Sequence, residues 1–303
     1  MTVPIPSLNI AFLKRTANNT QSVFDDSVGA IQGMLERAGF PAHVSYNTIV
    51  PEAVNIVVGA GMPGTPSLAE LRRFTRPNNT IIFNTEQLGS DSILITEEYL
   101  RLLADYVVWD YCQDNIETLR QRMGENVTCH EFPIVPPPNF ASLPQPLPVP
   151  RRFQFDFAFY GAVDVPRRAA ILQHLHQHGL RIKLIAGAFG QDLAMQLLDC
   201  KAVLNLHAYE TGLFEIGRCL RPMALGLPIL SETSRFPACV DWANSGIVFA
   251  PTEHLLPYAQ ALVNHVPMQQ TACRRMQHFV ADVRWPRLAK DILHSTLRQL
   301  QQR

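Results

Sequence analysis

The sequence predicts an α/β protein in which two doubly wound domains face each other across a cleft. Apolar runs of strand length alternate with segments of helical periodicity from residue 8 onward, and the alternation restarts at residue 155. Between these runs, residues 133–150 contain eight of the chain's 23 prolines, which suits an extended linker and excludes a helix or a central strand. Because each alternating run folds into a parallel sheet covered by helices, we expect two Rossmann-like domains.

The first domain, residues 1–132, is predicted from short apolar runs and helical spacing. Its strands are LNIAFLK, HVSYN, VNIVVGAG, TIIFNTEQ, YVVWDYC and VTCHEFPIV, the last of which runs into the linker. The first helix extends from Ser22 to Ala38, with apolar side chains at helical spacing. The second, SLAELRRF, begins with Ser67 and has Glu70 three residues on, which is the capping-box pattern. The helices ITEEYLRLLA and QDNIETLRQRM follow.

The second domain, residues 151–284, and a closing helix, residues 285–303, are predicted in the same way. The strands are FDFAFYG, RIKLIAG, AVLNLHA, PILSE and GIVFA. The predicted helices are Pro166–His178, DLAMQLLD, Phe214–Leu225, His254–Val263, Gln270–Val280 and Trp285–Leu300. Pro166 fits the first turn of its helix, where a missing N–H costs nothing.

The composition is that of a packed globular protein, with 47% hydrophobic and 17% charged residues. No apolar run reaches the roughly 18 residues of a membrane helix. The N-terminus MTVPIPSLNIAFLK lacks the basic start and cleavage site of a signal peptide, so we expect a first strand there. The six cysteines form no CxxC and no zinc-site spacing, which predicts reduced thiols in a cytoplasmic protein.

The formal net charge of zero is divided unevenly between the halves of the chain. Residues 1–150 hold 9 Lys+Arg and 15 Asp+Glu, a net charge of −6, so the remainder holds 17 and 11, a net charge of +6. A basic second half suits an anionic ligand such as a nucleotide diphosphate, although ordinary surface variation explains it equally well. There is no lysine-rich run and no basic stripe interleaved with aromatics, so nucleic-acid binding is not indicated.

The segment Ala202–Glu232 carries the densest group of polar candidates in the second domain. It reads as strand, loop, helix, turn and strand, and its polar residues follow the strand ends. Ligands of open parallel sheets bind at the carboxyl ends of the strands, beside helix N-termini. The candidates at this edge are His207, Tyr209, Glu210, Glu215, Arg218, Ser231 and Glu232.

Each of these candidates also has a structural explanation. Glu215, expected at a helix start, could accept ribose hydroxyls or only satisfy the helix dipole. Arg218 could bind a diphosphate or pair with Glu215 one turn away. His207 could contact the ligand or be a buried, hydrogen-bonded histidine. Glu232, with Ser231, could bind sugar hydroxyls, act as a base, or cap the segment that follows.

The first loop of the second domain supplies three more candidates. Gly161 ends the strand FDFAFYG, and a glycine there permits close approach of a phosphate. Arg167 and Arg168 follow in a helix first turn, where cations oppose the helix dipole. This unfavourable placement suggests an anionic partner, although solvated arginines are the alternative.

In the first domain, acidic residues follow two strands and could deprotonate an acceptor hydroxyl. Glu86, after TIIFNT, is the best candidate for a catalytic base, and Asp110, after YVVW, is the next. A cap or turn residue is the structural alternative for both. Lys14, Arg15, Thr16, Asn18 and Asn19 follow the first strand at the same edge.

Several of these motifs resemble those of the GT-B glycosyltransferases. Phe214-Glu215, Arg218 and the run Met223–Pro228 resemble the donor-domain signature "fE…EAma.G.PvV", although Arg221-Pro222 stands where the family often has a second glutamate. The other similar segments are Trp285 before the last helix, Phe159-Tyr160-Gly161 with Arg167-Arg168, Asn84-Thr85-Glu86-Gln87-Leu88, and Trp109-Asp110-Tyr111.

The resemblance implies that the second domain holds a nucleotide-diphosphate sugar and the first holds an acceptor. It implies transfer without a metal or other cofactor, to an acceptor that is a small molecule, a glycan or a protein. The chain lacks D-x-D, G-x-G-x-x-G, the P-loop, G-x-S-x-G and H-E-x-x-H, which lowers the odds of other enzyme classes. A sugar-nucleotide epimerase or hydrolase, and a non-catalytic nucleotide-sugar binding protein, remain the alternatives.

Overall fold

The computed structural model describes residues 6–14, 24–138, 140, 153–235 and 238–303. Within these ranges the chain forms two parallel sheets flanked by helices, as the sequence predicts. The first sheet has the order β2-β1-β3-β4-β5-β6. Its strands are β1 Leu8–Phe12, β2 Ala42–Tyr46, β3 Val54–Val58, β4 Thr80–Asn84, β5 Val107–Asp110 and β6 Cys129–Glu131.

The second sheet has the order β11-β10-β9-β7-β8 and is also parallel throughout. Its strands are β7 Phe155–Tyr160, β8 Ile182–Ile185, β9 Cys200–Asn205, β10 Ile229–Glu232 and β11 Val248–Ala250. The strand order reverses between β7 and β9, so the crevice at their carboxyl ends is the expected ligand position.

The helices cover both faces of each sheet. In the first domain they are α1 Asp25–Arg37, α2 Leu68–Phe74, α3 Glu97–Asp105 and α4 Gln113–Met123. In the second they are α5 Pro166–Gln177, α6 Gly190–Leu197, α7 Leu220–Leu225, α8 Leu255–Asn264, α9 Val266–Ala281 and α10 Arg284–Leu300. The capping box predicted at Ser67 is confirmed, since its hydroxyl accepts from Glu70 N while the Glu70 carboxylate accepts from Ser67 N.

One apolar core runs through both domains. Alternate residues of β1 face opposite sides of the sheet: Ile10 belongs to this core, whereas Ala11 belongs to a separate core with α2 and α3. The shared core also contains Ile31 of α1, Ile229 of β10 and Leu293 of α10. Because apolar residues of both sheets pack into one cluster, separating the domains would expose that surface to water.

The final helix, α10, returns to the first domain and packs against α1. The indole Nε1 of Trp109 donates to Thr296 Oγ1 at 2.9 Å, which ties β5 to α10. The guanidinium of Arg37 donates to the carbonyls of Val280 and Asp282, at the end of α9. The predicted closing helix therefore packs against the first domain and is hydrogen-bonded to it.

Two predicted elements differ from the structure. The strand expected over 127–135 is confined to β6, and Pro133 has no N–H with which to extend it. The helix expected over Phe214–Leu225 is instead a 3₁₀ turn, Ile216–Arg218, followed by the short α7. Pro222 is the third residue of α7, and its ring would clash with the helical carbonyl four residues earlier, so an α-helix cannot begin much before Leu220.

Part of the predicted linker, Asn139 and residues 141–150, lies outside the described residues. Across the described ranges, no helix has both the length and the apolar composition that spanning a bilayer requires.

A buried ion pair joins α1 to α7. Arg221 donates through Nε to Asp26 Oδ2 at 3.0 Å and through Nη2 to Asp26 Oδ1. Both side chains are nearly nine-tenths buried. Burial raises the pKa of Asp26, and the hydrogen bond and charge of Arg221 offset part of this effect. The arginine that stands in place of the expected second glutamate therefore bridges the domains.

Replacing Arg221 with Met should reduce the free energy of unfolding by about 3–5 kcal/mol, because the Asp26 carboxylate is left buried without its cation. Urea denaturation at pH 7 measures the loss. The control is Lys14→Met, which breaks the half-exposed Lys14–Asp25 pair and should cost at most about 1 kcal/mol. Equal small losses in both variants would contradict a bridging role for Arg221.

Candidate functional site

A cleft of about 610 Å³ lies where the carboxyl edges of the two sheets meet. This volume is within the range of small-molecule and cofactor sites. The first domain contributes Phe24, Asp26, Ser27, Phe83, Thr85, Glu86, Gln87 and Tyr111 to its lining, and the start of the linker contributes Ile134. The second domain contributes Tyr160–Ala162, Ile185–Gly190, Leu193, Tyr209 and Glu215–Arg218.

Gly161 and Arg218 form the part of the second-domain wall that lies at the strand reversal. Gly161 has φ of +141°, and a Cβ atom there would stand 3.2–3.3 Å from the guanidinium of Arg218. The same guanidinium donates through Nη1 to Leu206 O at 2.9 Å and Asn205 Oδ1 at 3.2 Å. The sequence therefore needs glycine at 161 for this arginine to lie against the backbone.

Glu215 holds two arginines together at this wall. Its carboxylate accepts from Arg168 Nη2 at 2.8 and 3.0 Å, from Arg218 Nη2, and from Ala208 N at 2.6 Å. Burial alone would raise the pKa of Glu215, but the charges of Arg218 and Arg168 lower it below the ordinary value. With two guanidiniums to one carboxylate, the cluster carries a net positive charge, and Arg218 presents it to the cleft.

Glu215 does not open an α-helix, as the sequence suggested, but precedes the 3₁₀ turn. Each of its carboxylate oxygens already accepts two hydrogen bonds within the chain, so its main visible role is to fix Arg168 and Arg218. Arg168 is 2% exposed and does not reach the cleft lining.

Arg167 and Glu232 form a second cluster, outside the cleft lining. Arg167 Nη1 donates to Glu232 Oε2 at 2.7 Å, and Glu232 also accepts from His207 N at 2.8 Å and Thr252 Oγ1 at 2.6 Å. Burial would raise the pKa of Glu232, but the hydrogen bond from Arg167 lowers it. The arginines of the α5 first turn thus find their anionic partners within the chain.

Of the remaining second-domain candidates, some line the cleft and others are buried outside its lining. Tyr209 lines the cleft, whereas His207 and Ser231 do not. His207 is 4% exposed, with its Nε2 near Thr233 O and the Ser234 hydroxyl. Ser231 accepts from the amide of Asn205, which also binds Arg218.

Glu86 is the charged group on the first-domain wall that no cation offsets among the described residues. Its carboxylate has one hydrogen bond in the structure, from Thr85 Oγ1 at 3.4 Å. Burial raises its pKa from the ordinary 4.5, and that hydrogen bond opposes the shift weakly. A half-buried carboxylate with a raised pKa is suited to accept a proton from a hydroxyl.

Asp110 lies beneath this wall rather than in its lining. It is 1% exposed and accepts hydrogen bonds from Asn84, Asn115 and Cys112 N. Burial raises its pKa to about 7, although the two amides and the backbone N–H favour the ionised form. The structure therefore brings Asp110 close to Glu86 but gives the two carboxylates different surroundings.

Some cleft residues were not anticipated from the sequence. Phe24, Asp26 and Ser27 reach the cleft because α1 begins at its rim, and nothing in their local pattern signals this position. The loop Ile185–Gly190, after β8, also lines the cleft. Arg15, Thr16, Asn18 and Asn19 lie outside the described residues. Among the residues that are described, no group of three or more His, Cys, Asp or Glu is arranged to hold a metal ion.

Solved structures of nucleotide-sugar enzymes share this architecture. T4 phage BGT in complex with its UDP-glucose substrate matches with a TM-score of 0.62 at 12% identity, over 96% of this chain and 99% of that one. Anabaena HepE in complex with UDP and glucose matches with a TM-score of 0.61 at 13% identity, over 96% and 100%. The chain has the GT-B fold.

A third similar structure is an alpha-glucosyltransferase in complex with UDP and a 13-mer DNA containing an HMU base. It matches with a TM-score of 0.66 at 8% identity, over 96% of this chain and 100% of that one. No protein-family model and no curated protein matches the sequence. The likeness is therefore one of fold, and the chemistry has to be argued from the cleft itself.

Replacing Glu215 with Gln should lower the free energy of unfolding by about 3–5 kcal/mol at pH 7, because Arg168 and Arg218 lose the anion between them. The pKa of Glu215 is lowered in the folded state, so its contribution is present above pH 4.5 and is lost as the pH falls. The difference between parent and variant should therefore shrink in acid.

Urea denaturation at a series of pH values measures this difference. The control is Glu210→Gln, an exposed neighbour that should change stability by at most about 0.5 kcal/mol. A Glu215→Gln loss that is small, or that stays constant down to acid pH, would contradict the ion cluster.

Proposed function

We propose that the protein transfers a sugar from a nucleotide-diphosphate donor to a hydroxyl acceptor, without a metal. The observation that carries the proposal is the division of charge across the cleft. Arg218 presents a guanidinium on the second-domain wall, and on the first-domain wall Glu86 presents a carboxylate that no cation among the described residues offsets. A leaving diphosphate needs a cation, and an attacking hydroxyl needs a base.

The donor side is suited to a diphosphate. Arg218 is held by Glu215, Leu206 O and Asn205, so its position is set before any ligand binds. A preorganised cation stabilises charge that develops on the leaving group without reorganising during the reaction. Gly161, with no side chain, leaves the adjacent backbone accessible to phosphate oxygens.

The chemical step balances with Glu86 as the base. The acceptor oxygen gives its proton to the Glu86 carboxylate and forms a bond to the anomeric carbon. The bond from that carbon to the diphosphate oxygen breaks, and its electron pair leaves with the nucleotide diphosphate beside Arg218. No side chain needs a metal to carry out this exchange, since the developing negative charge meets a guanidinium.

The solved neighbours contain UDP or UDP-glucose, which supports a uridine diphosphate sugar as the first donor to test. The DNA bound to one neighbour is not carried over to this chain, because residues 1–150 have a net charge of −6, which repels a polyanion. The proposal is therefore a small-molecule, glycan or protein acceptor. A cytoplasmic location belongs to the same proposal, and the six free cysteines support it.

Replacing Arg218 with Gln should weaken UDP-glucose binding about 10- to 100-fold, the value of a charge-assisted hydrogen bond to the diphosphate. Titration calorimetry with parent and variant measures the change, with UDP-, GDP-, ADP- and TDP-sugars as the donor panel. The control is Arg181→Gln, a half-exposed arginine paired with Asp156 at the opposite edge of the sheet. Equal affinity in parent and Arg218→Gln would contradict the donor site.

Replacing Glu86 with Gln should lower kcat for transfer by about 10²- to 10⁴-fold and leave donor affinity intact, because only the base is lost. In the parent, kcat should rise with pH through the raised pKa of Glu86, above 4.5, and this limb should be absent from the variant. The control is Glu117→Gln, at an exposed position of α4. An unchanged kcat or pH profile would exclude Glu86 as the base.

Two further measurements separate the alternatives. Turnover of the donor without an acceptor, followed by product analysis, distinguishes an epimerase or a hydrolase from a transferase. Transfer that continues in excess chelator supports the metal-free reaction, and loss of transfer that a divalent cation restores would contradict it.

A further inference from the structure

We infer that Asp110 is a positioning residue that fixes the backbone of Glu86 through the buried amides of Asn84 and Asn115, and that it does not itself accept the proton. This inference rests on the proposed role of Glu86 as the base. The inference also connects the two first-domain segments Asn84–Leu88 and Trp109–Tyr111, because residues of both belong to one hydrogen-bond network.

Asp110 directs its carboxylate at three donors. Its Oδ2 accepts from Asn84 Nδ2 at 2.6 Å, and its Oδ1 accepts from Asn115 Nδ2 at 3.0 Å and Cys112 N at 2.9 Å. Asn84 and Asn115 are each fully buried. In its ionised form the Asp110 carboxylate can only accept, so both amides turn their NH₂ groups towards it.

The two amides then bind the peptide groups around Glu86. The same two NH₂ groups donate to Glu86 O, each at 2.9 Å. Asn84 Oδ1 accepts from Glu86 N at 3.1 Å, and Asn115 Oδ1 accepts from Leu88 N at 2.9 Å. The Tyr99 hydroxyl also donates to Asn84 Oδ1, at 2.8 Å. The strand-end turn that carries Glu86 is thus held on both sides.

The same geometry argues against Asp110 as the base. Both of its oxygens are committed to donors, it is 1% exposed, and it does not line the cleft. Glu86 has the opposite surroundings, with its carboxylate in the cleft lining and one long hydrogen bond from Thr85. A buried network in which every group is satisfied fixes one geometry, which is what a base needs for proton transfer.

The held turn also contacts the second domain. Gln87 directly follows Glu86 in the chain, and its Oε1 accepts a hydrogen bond from Thr211 Oγ1 at 2.6 Å. The network therefore fixes Glu86 relative to the first sheet, and Gln87 links the turn to the loop that follows β9. A displacement of the turn would change the distance between the base and the donor wall.

Hydrogen exchange of the Glu86 and Leu88 amides, followed by NMR, tests the inference without any assay of activity. In Asp110→Asn, an NH₂ group replaces an acceptor oxygen and opposes another donor. If Asn84 turns over to relieve this conflict, it loses both bonds to Glu86. Exchange of the Glu86 amide, which is bonded to Asn84 Oδ1 in the parent, should therefore be at least tenfold faster. Unchanged exchange would overturn the inference.

Asp156→Asn is the matched control. It makes the same chemical change at a buried carboxylate of the second sheet, paired with Arg181 and Lys201, and should leave the Glu86 and Leu88 amides unchanged. Asn115→Ala gives a second test if Asp110→Asn fails to fold. It removes the acceptor of Leu88 N and one donor to Glu86 O, so the Leu88 amide should exchange faster while Asp110 is intact.

A double-mutant cycle for transfer distinguishes positioning from direct catalysis. Asp110→Asn should lower kcat with an unchanged donor affinity, and the Glu86→Gln/Asp110→Asn double variant should be no slower than Glu86→Gln alone. Losses that multiply in the double variant would mean that Asp110 acts on its own and would overturn the inference. Absence of any donor binding in the parent would refute the proposed function, while hydrogen exchange would still decide the network.

Discussion

The site depends on the burial of Asp26 with Arg221 at the contact between α1 and α7. This ion pair joins the two domains, and an apolar core continues through both sheets, so the carboxyl edges of the two sheets are fixed opposite each other. Breaking such a pair leaves an uncompensated buried charge. The pair also places the start of α1 in the cleft, where Ser27 and Asp26 form part of the lining.

Two networks of unlike charge face each other across this fixed cleft. On the second domain, one carboxylate between two guanidiniums leaves a positive charge at Arg218. On the first domain, both oxygens of Asp110 accept hydrogen bonds from buried amides. Glu86 faces the cleft, and burial raises its pKa. In each domain a structural acid, Glu215 or Asp110, fixes its neighbours, and a charged group beside it, Arg218 or Glu86, faces the cleft.

Much of the fold was predictable from the sequence because strand and helix periods alternate cleanly and the prolines separate the two runs. The sequence predicted at which edge of the sheets the site lies, but it did not predict the contacts between the site residues. The positions of Arg167 and Arg168 suggested an anionic ligand or solvated side chains. Their bonds to Glu232 and Glu215 join residues 65 and 47 positions apart, which no local pattern indicates. The prediction that a helix begins at Phe214 was wrong, because Pro222 prevents an α-helix from beginning much before Leu220. The bridge from Arg221 to Asp26 spans 195 residues, which no local pattern shows.

A crystal structure with a bound UDP-sugar tests the central claim most directly. The account predicts that diphosphate oxygens lie within hydrogen-bond distance of Arg218 and against Gly161, with the anomeric carbon directed towards Glu86. A nucleotide bound away from Arg218, or a sugar directed away from the first domain, would contradict it.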